Sequence, residues 1–127
     1  MTAIAIPFTL YEYAATCERV VDGDTVDLAV DLGFRVKFRD RFRILGIDTP
    51  ETYGVRKDSE EYAAGKKSAA WLTNLILGKL VIIRTRKDSR GKYGRWLAEV
   101  FIDTGAGKFL NVGADMIRLG LAKEYGS

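Results

Sequence analysis

The spacing of apolar and polar positions changes along this chain, and the changes mark its elements. Residues 5 to 13 alternate, with Ile6, Phe8 and Leu10 on one side, which predicts a first strand. Residues 16 to 22 and 25 to 32 predict two further strands around Asp22-Gly23-Asp24, because an Asp-Gly pair favours a tight turn. Phe34, Val36 and Phe38 alternate with Arg35, Lys37 and Arg39, the pattern of a strand with one apolar and one basic face. It leads into Phe42-Arg43-Ile44-Leu45-Gly46-Ile47, apolar enough for a buried central strand, and Pro50 stops the ladder.

The period then becomes helical. After a polar loop over residues 52 to 58, a helix is predicted from about Ser59 to Leu77. Asp58 and Ser59 are candidate N-caps, Tyr62, Ala69, Leu72 and Ile76 recur at helical spacing, and Gly78 suits the position after the last turn. Lys79 to Lys87 reads as a strand, Asp88 to Gly94 as a hairpin loop, and Arg95 to Asp103 as a strand with Trp96, Ala98, Val100 and Ile102 on one face. Residues Thr104 to Lys108 turn the chain. A short helix starts near Asn111, turns Met116 and Ile117 inward and ends at Gly120. Short strands interrupted by one helix predict a β-rich α+β domain: an OB-fold, five-stranded Greek-key barrel with a long helix between strands and a short C-terminal helix. The 127 residues suit a single domain spanning 1–127, and no repeat or linker divides them.

Composition narrows the chemistry more than the fold. The chain has no histidine, which excludes imidazole bases and His-metal centres. It has one cysteine, Cys17, so an intrachain disulfide or a cysteine-based zinc site is excluded too, and Cys17 reads as a small hydrophobe near a strand. Acid–base work therefore falls to carboxylates, and a metal would be a hard ion held by oxygen. The net charge of +3 is compatible with nucleic acid without requiring it. No apolar run is long enough to span a bilayer, and the N-terminus lacks the basic start of a signal peptide.

Three short segments carry candidate chemistry: Asp22-Gly23-Asp24-Thr25-Val26, Arg43 through Asp48-Thr49-Pro50-Glu51, and Lys92-Tyr93-Gly94-Arg95. Asp24 and Asp48, each at a strand end beside a turn, are candidate metal ligands; taken singly, either serves equally well as a turn residue. Glu51 follows Pro50 in a rigid turn and is a candidate for orienting, or deprotonating, an attacking water; the ordinary alternative is a solvated loop glutamate. Arg43 sits in an apolar strand, where a guanidinium needs an anionic partner, and Arg95 opens a strand. Each can present a planar fork to phosphate oxygens, or simply form an ion pair. Arg35, Lys37, Arg39, Arg41, Arg84, Arg86, Lys87, Arg90 and Lys92 could track a phosphate backbone and Tyr93 could stack on a base; the alternative is the solvated wall of a barrel.

At these segments the chain resembles the staphylococcal (micrococcal) nuclease family, also called thermonuclease. Leu119-Gly120-Leu121-Ala122 fits as well, and the resemblance covers about residues 16 to 125. It implies an OB-fold enzyme that hydrolyses DNA and RNA to 3′-phosphate ends with Ca2+. The resemblance assigns Asp24, Asp48 and the backbone carbonyl of Thr49 to calcium, with Asp22 supporting them from one layer further out. Glu51 would position or activate water, Arg43 and Arg95 would hold the scissile phosphate, and Lys92 and Tyr93 would contact substrate phosphate and base. Substrates would be single-stranded or locally open, without membrane association, and the protein a monomer. Secretion follows by analogy, although no export signal is visible, so an intracellular or phage-borne setting is the alternative.

The chain also departs from the family. The loop Thr52 to Asp58 differs from the type member's, Lys67 stands where relatives often carry an acid, and Tyr125 falls about one place from the family's late nucleotide-contacting tyrosines. The rival reading is a non-catalytic nucleic-acid-binding OB module. Such modules should lack some of Arg43, Glu51 and Arg95, and this chain has all three.

Overall fold

The strands pair in an order that returns to its starting point. A computed structural model describes residues 2–3, 10–90 and 96–125, with the side chains of 87–90 excepted. The elements are β1 (Glu12–Asp22), β2 (Thr25–Asp31), β3 (Lys37–Ile44), β4 (Ile47–Asp48), α1 (Glu60–Ile76), β5 (Leu80–Arg90), β6 (Trp96–Gly105), β7 (Lys108–Asn111), α2 (Val112–Arg118) and β8 (Lys123–Glu124). The sheet runs β3-β2-β1-β5-β6-β7, and β3 also pairs with β6 in parallel, placing Arg43 beside Leu97. Strands β1, β2, β3, β5 and β6 therefore form a closed five-stranded barrel of the OB type, with β7 appended to β6. Shifts of register in β1 after Cys17 and after Val20 are bulges of the kind that bend a strand around such a barrel.

Alternation fills the barrel. Val26, Leu28 and Val30 of β2, Phe42 and Ile44 of β3, Val81 and Ile83 of β5, and Ala98 and Val100 of β6 are all buried. Leu72 and Ile76 of α1 and Val112 and Met116 of α2 complete the same core. Cys17 belongs to it, and burial, opposed by a hydrogen bond to the Arg19 carbonyl, pushes its thiol up to about 11. No described helix is long and apolar enough to cross a membrane.

The helices follow their caps. Ser59 takes the N-cap of α1 by accepting a hydrogen bond from the Tyr62 amide, and Asn111 caps α2 by accepting from the Ala114 amide. Gly78 follows α1 in the left-handed conformation expected of it, at φ 73°.

Four expectations shift. The strands predicted over residues 5 to 13 and 16 to 22 share one strand, β1, which begins at Glu12, and residues 5–9 of the first predicted segment lie outside the described residues. Strand β3 starts at Lys37, three residues late, because Gly33, Phe34 and Arg35 all take positive φ and turn the chain. Phe34 is fully exposed there, so the supposed apolar face of that segment does not join the core. Ile117 also faces solvent, since α2 buries Val112 and Met116 instead. The turn after Asp103 leads into an extra strand, β7, that the alternation did not reveal.

Candidate active site

Two turns and one strand end meet at one end of the barrel. The β1–β2 turn carries Asp22 and Asp24, β3 ends with Arg43 and Ile44, and β4 carries Asp48 into Thr49-Pro50-Glu51. The Ile44 amide donates to the Asp24 carbonyl at 2.8 Å and so ties the first turn to β3. Gly23 lets the same turn come close to Thr49 and to α1. A Cβ there would lie 2.9 Å from Thr49 Oγ1 and Cγ2 and from Ser68 Cβ.

Arg43 organises the cluster. Its Nη1 lies 3.4 Å from Asp24 Oδ2 and its Nη2 lies 3.4 Å from Asp48 Oδ1. Nη2 also donates to the Ile47 carbonyl at 3.0 Å. A side chain largely withdrawn from water at the buried end of β3 thus has the anionic partners that the sequence demands of it. The Tyr125 ring covers the guanidinium, with its centroid 5.0 Å from Cζ. That ring is held in place by main-chain pairing: β8 pairs with β4, and the Tyr125 amide donates to the Gly46 carbonyl at 2.9 Å.

Asp24 is 6% exposed and heavily partnered. The Thr25 hydroxyl donates to it at 3.0 Å and the Thr49 amide at 3.2 Å. Burial works against its ionisation, but Asp22, the Arg43 charge, the Thr49 amide and the Thr25 hydroxyl together outweigh burial and hold its carboxyl below the usual range. Asp22 behaves oppositely. Burial first, and then the neighbouring Asp24 carboxylate, push it up to about 6. The two acids divide the labour, one ionised and one ready to keep a proton. Among the described residues, no group of three or more His, Cys, Asp and Glu side chains forms a ready cage for a cation.

Glu51 opens on a neighbouring cleft. A cavity of about 460 Å³ is lined by Asp48, Thr49, Glu51, Glu60, Glu61 and Lys123, among others. The Glu61 carboxylate accepts from the Glu51 amide at 3.4 Å. Helix α1 presses closely on this loop, since a Cβ on Gly65 would lie 2.5 Å from the Pro50 carbonyl oxygen. Ser68 donates to the Leu121 carbonyl at 2.6 Å, anchoring the segment that leads to β8.

The structure therefore gathers Asp22, Asp24, Arg43, Asp48 and Thr49, and sets Glu51 on the cleft that Asp48 and Thr49 share. Lys92, Tyr93 and Arg95 lie outside the described residues. The wider basic strip divides. Arg39 pairs with Glu18 at 3.2 Å, Arg41 with Asp27 at 2.8 Å and Arg84 with Glu12 at 3.0 Å, so these three fit the alternative of a solvated barrel wall. Residue-by-residue reading missed Gly65, Ser68, Glu61 and the Arg43–Tyr125 stack. An isolated glycine inside a helical pattern was a usable signal for Gly65.

Comparison with known proteins places the chain among nuclease relatives. Residues 41–127 match the family described as staphylococcal nuclease homologue. Endonuclease YhcR of Bacillus subtilis (strain 168) is 31% identical over 118 residues, which is 90% of this chain and 9% of that protein. Thermonuclease of Staphylococcus intermedius is 30% identical over 107 residues, covering 84% of this chain and 54% of that protein. The SPbeta prophage-derived endonuclease YokF of B. subtilis is 34% identical over 110 residues, 85% of this chain and 33% of that protein. The chain thus spans about half the length of the thermonuclease and much less of the two endonucleases. With most of its length matched by that family and the barrel and acid–arginine cluster in place, the chain belongs to the staphylococcal nuclease family.

Proposed function

We propose that this chain is a calcium-dependent phosphodiesterase that cuts DNA and RNA internally and leaves 3′-phosphate ends. The observation that carries the reading is Arg43, whose guanidinium lies within 3.4 Å of both Asp24 and Asp48. That contact brings two acids and a phosphate-binding fork to one place.

The donor set suits a hard divalent cation. Asp24 and Asp48 offer carboxylate oxygens, Asp24 is kept ionised, and the Thr49 carbonyl would add a neutral oxygen. Such a cation, when bound, would supply positive charge at the scissile phosphate. Asp22 holds the turn by accepting from the Asp24 amide at 3.3 Å.

The remaining chemistry belongs to side chains. The Glu51 carboxylate accepts a hydrogen bond from the attacking water and positions it toward phosphorus or activates it by taking its proton. Arg43 donates to a non-bridging phosphate oxygen as negative charge accumulates in the five-coordinate transition state. Arg95 donates to the same phosphate near the leaving oxygen. The water oxygen bonds to phosphorus as the P–O5′ bond breaks, the 5′-oxygen takes a proton from solvent, and the phosphate stays on the 3′ side. Lys92 and Tyr93 hold the neighbouring phosphate and base.

The test is direct. Single-stranded DNA, plasmid and RNA are incubated with the protein in calcium, in magnesium and in chelator, and the product ends are identified. Cleavage that needs calcium and yields 3′-phosphates is expected. Binding without cleavage in every condition would replace the proposal with a non-catalytic nucleic-acid-binding OB module.

A further inference from the structure

We propose that the opposite end of the barrel holds a second contact for single-stranded nucleic acid, built from the β2–β3 hairpin tip and the aromatic groove beside it. The proposal rests on the nuclease reading above and extends it to a site remote from the scissile phosphate.

The tip is a defined turn. The Leu32 amide donates to the Val36 carbonyl and the Val36 amide to the Gly33 carbonyl, each at 2.9 Å, while the Gly33 amide donates to Asp31 at 2.8 Å. This frame presents Phe34 with 99% of its surface in water, followed by half-exposed Val36. Arg35 and Lys37 alternate with them and have no ion-pair partner among the described residues, whereas Arg39 and Arg41 further along are paired. Aromatic faces interleaved with unneutralised cations are the surface that stacks bases and tracks phosphates.

Beside the tip, Tyr11, Tyr13, Phe38 and Trp96 line a groove of about 220 Å³. It is a rigid platform. Phe38 meets Trp96 edge-on at 6.2 Å, and the Trp96 indole donates to Asp40 at 3.0 Å. Arg86 borders this groove and also the cleft containing Arg43, so the two regions are continuous along the barrel wall. Phe38 and Arg43 are five residues apart on β3, about 17 Å at the rise of a strand and on opposite faces of it, so the path between them passes over Arg86. A strand whose phosphate sits on Arg43 would need several further nucleotides to reach the groove, so only longer substrates use it.

Two readouts test the proposal on the intact chain with Phe34→Ala and Phe38→Ala. The first is fluorescence anisotropy of a labelled oligothymidylate of about 15 nucleotides, in chelator. The second is steady-state cleavage of that oligonucleotide and of a dinucleotide, in calcium. Each variant is expected to raise Kd and KM for the oligonucleotide by about tenfold while leaving kcat and dinucleotide cleavage unchanged. Phe34 is so exposed that its removal leaves the fold intact, which keeps the test interpretable. Unchanged Kd and KM, or an equal loss on the dinucleotide, would overturn the proposal. So would binding of the wild type to phosphatidylserine vesicles but not to the oligonucleotide. Oligonucleotide binding that depends on Phe34, without cleavage under any condition, would uphold this contact and remove the nuclease reading.

Discussion

The Tyr125 ring sits over Arg43, with its centroid 5.0 Å from the guanidinium carbon. A guanidinium stacked on one face keeps its edge N–H groups free to point outward, and the ring limits the tilts it can adopt. Tyr125→Phe should therefore retain wild-type cleavage. Tyr125→Ala should lower kcat about two- to fivefold, in proportion to an exposed cation–π contact. Steady-state cleavage of an oligonucleotide checks both, and equal losses in the two variants would assign the effect to the hydroxyl rather than the ring.

Charge stabilisation and proton transfer should be separable from folding. Glu51→Gln, Arg43→Ala and Arg95→Ala are each expected to reduce kcat by on the order of 10²-fold or more. Glu51 is exposed, so its variant should unfold at the wild-type temperature. Arg43→Ala should also lower the melting temperature, because Asp24 then remains buried without its cation. A loss of only a few-fold in kcat would remove the residue concerned from the reaction.

How much of this was legible beforehand depends on the range of the interaction. Arg43 could be read because a charge among apolar neighbours breaks a local rule, whereas Asp24 and Asp48, ordinary at turns when taken singly, stood out only in combination with it. The barrel followed from alternation, and the cap at Ser59 from short-range chemistry. The reach of β3 was misjudged because alternation at Phe34 to Phe38 says nothing of backbone φ, which turns positive at Phe34 and Arg35. The Tyr125 stack depends on β8 pairing with β4 across some 75 residues of chain, a relation carried by no local pattern. Whether a basic residue meets an acid on the next strand is likewise a matter of register, as with Arg41 and Asp27.

Gly65 makes a prediction about the loop rather than the helix. Alanine is the better helix former, yet Gly65→Ala should destabilise, by about 1–3 kcal/mol, because its methyl meets the Pro50 carbonyl at 2.5 Å. The loop must move, carrying Glu51 with it, so kcat should fall on the order of tenfold in the protein that remains folded. Thermal denaturation and kinetics below the transition check the two parts independently.

Asp22 predicts a pH dependence in chelator. Its folded pKa of about 6 lies above the usual 3.8, so the folded protein binds the extra proton between those values. Stability then falls as pH rises through that window, and the cost is complete above it. Asp24 is shifted downward, so its contribution is present at neutral pH and is lost only in more acidic solution. Asp22→Asn, which cannot ionise and still accepts from the Asp24 amide, should gain about 1–2 kcal/mol at pH 8 and nothing near pH 4. Urea denaturation at the two pH values measures it, and a gain independent of pH would contradict the assignment.

Parallel closure of β3 on β6, together with the tether from Ser68 to Leu121 and the pairing of β8 with β4, has a consequence for biosynthesis. A ribosome releasing this polypeptide has already extruded both acids and Arg43 while Leu97 and Tyr125 are still unmade. Until they are made, the acid–arginine cluster lacks the β6 pairing beside Arg43 and the Tyr125 ring over its guanidinium. Assembly of the cluster therefore waits on partners made well after its own side chains, so the order of synthesis delays its bracing until β6 and β8 have emerged.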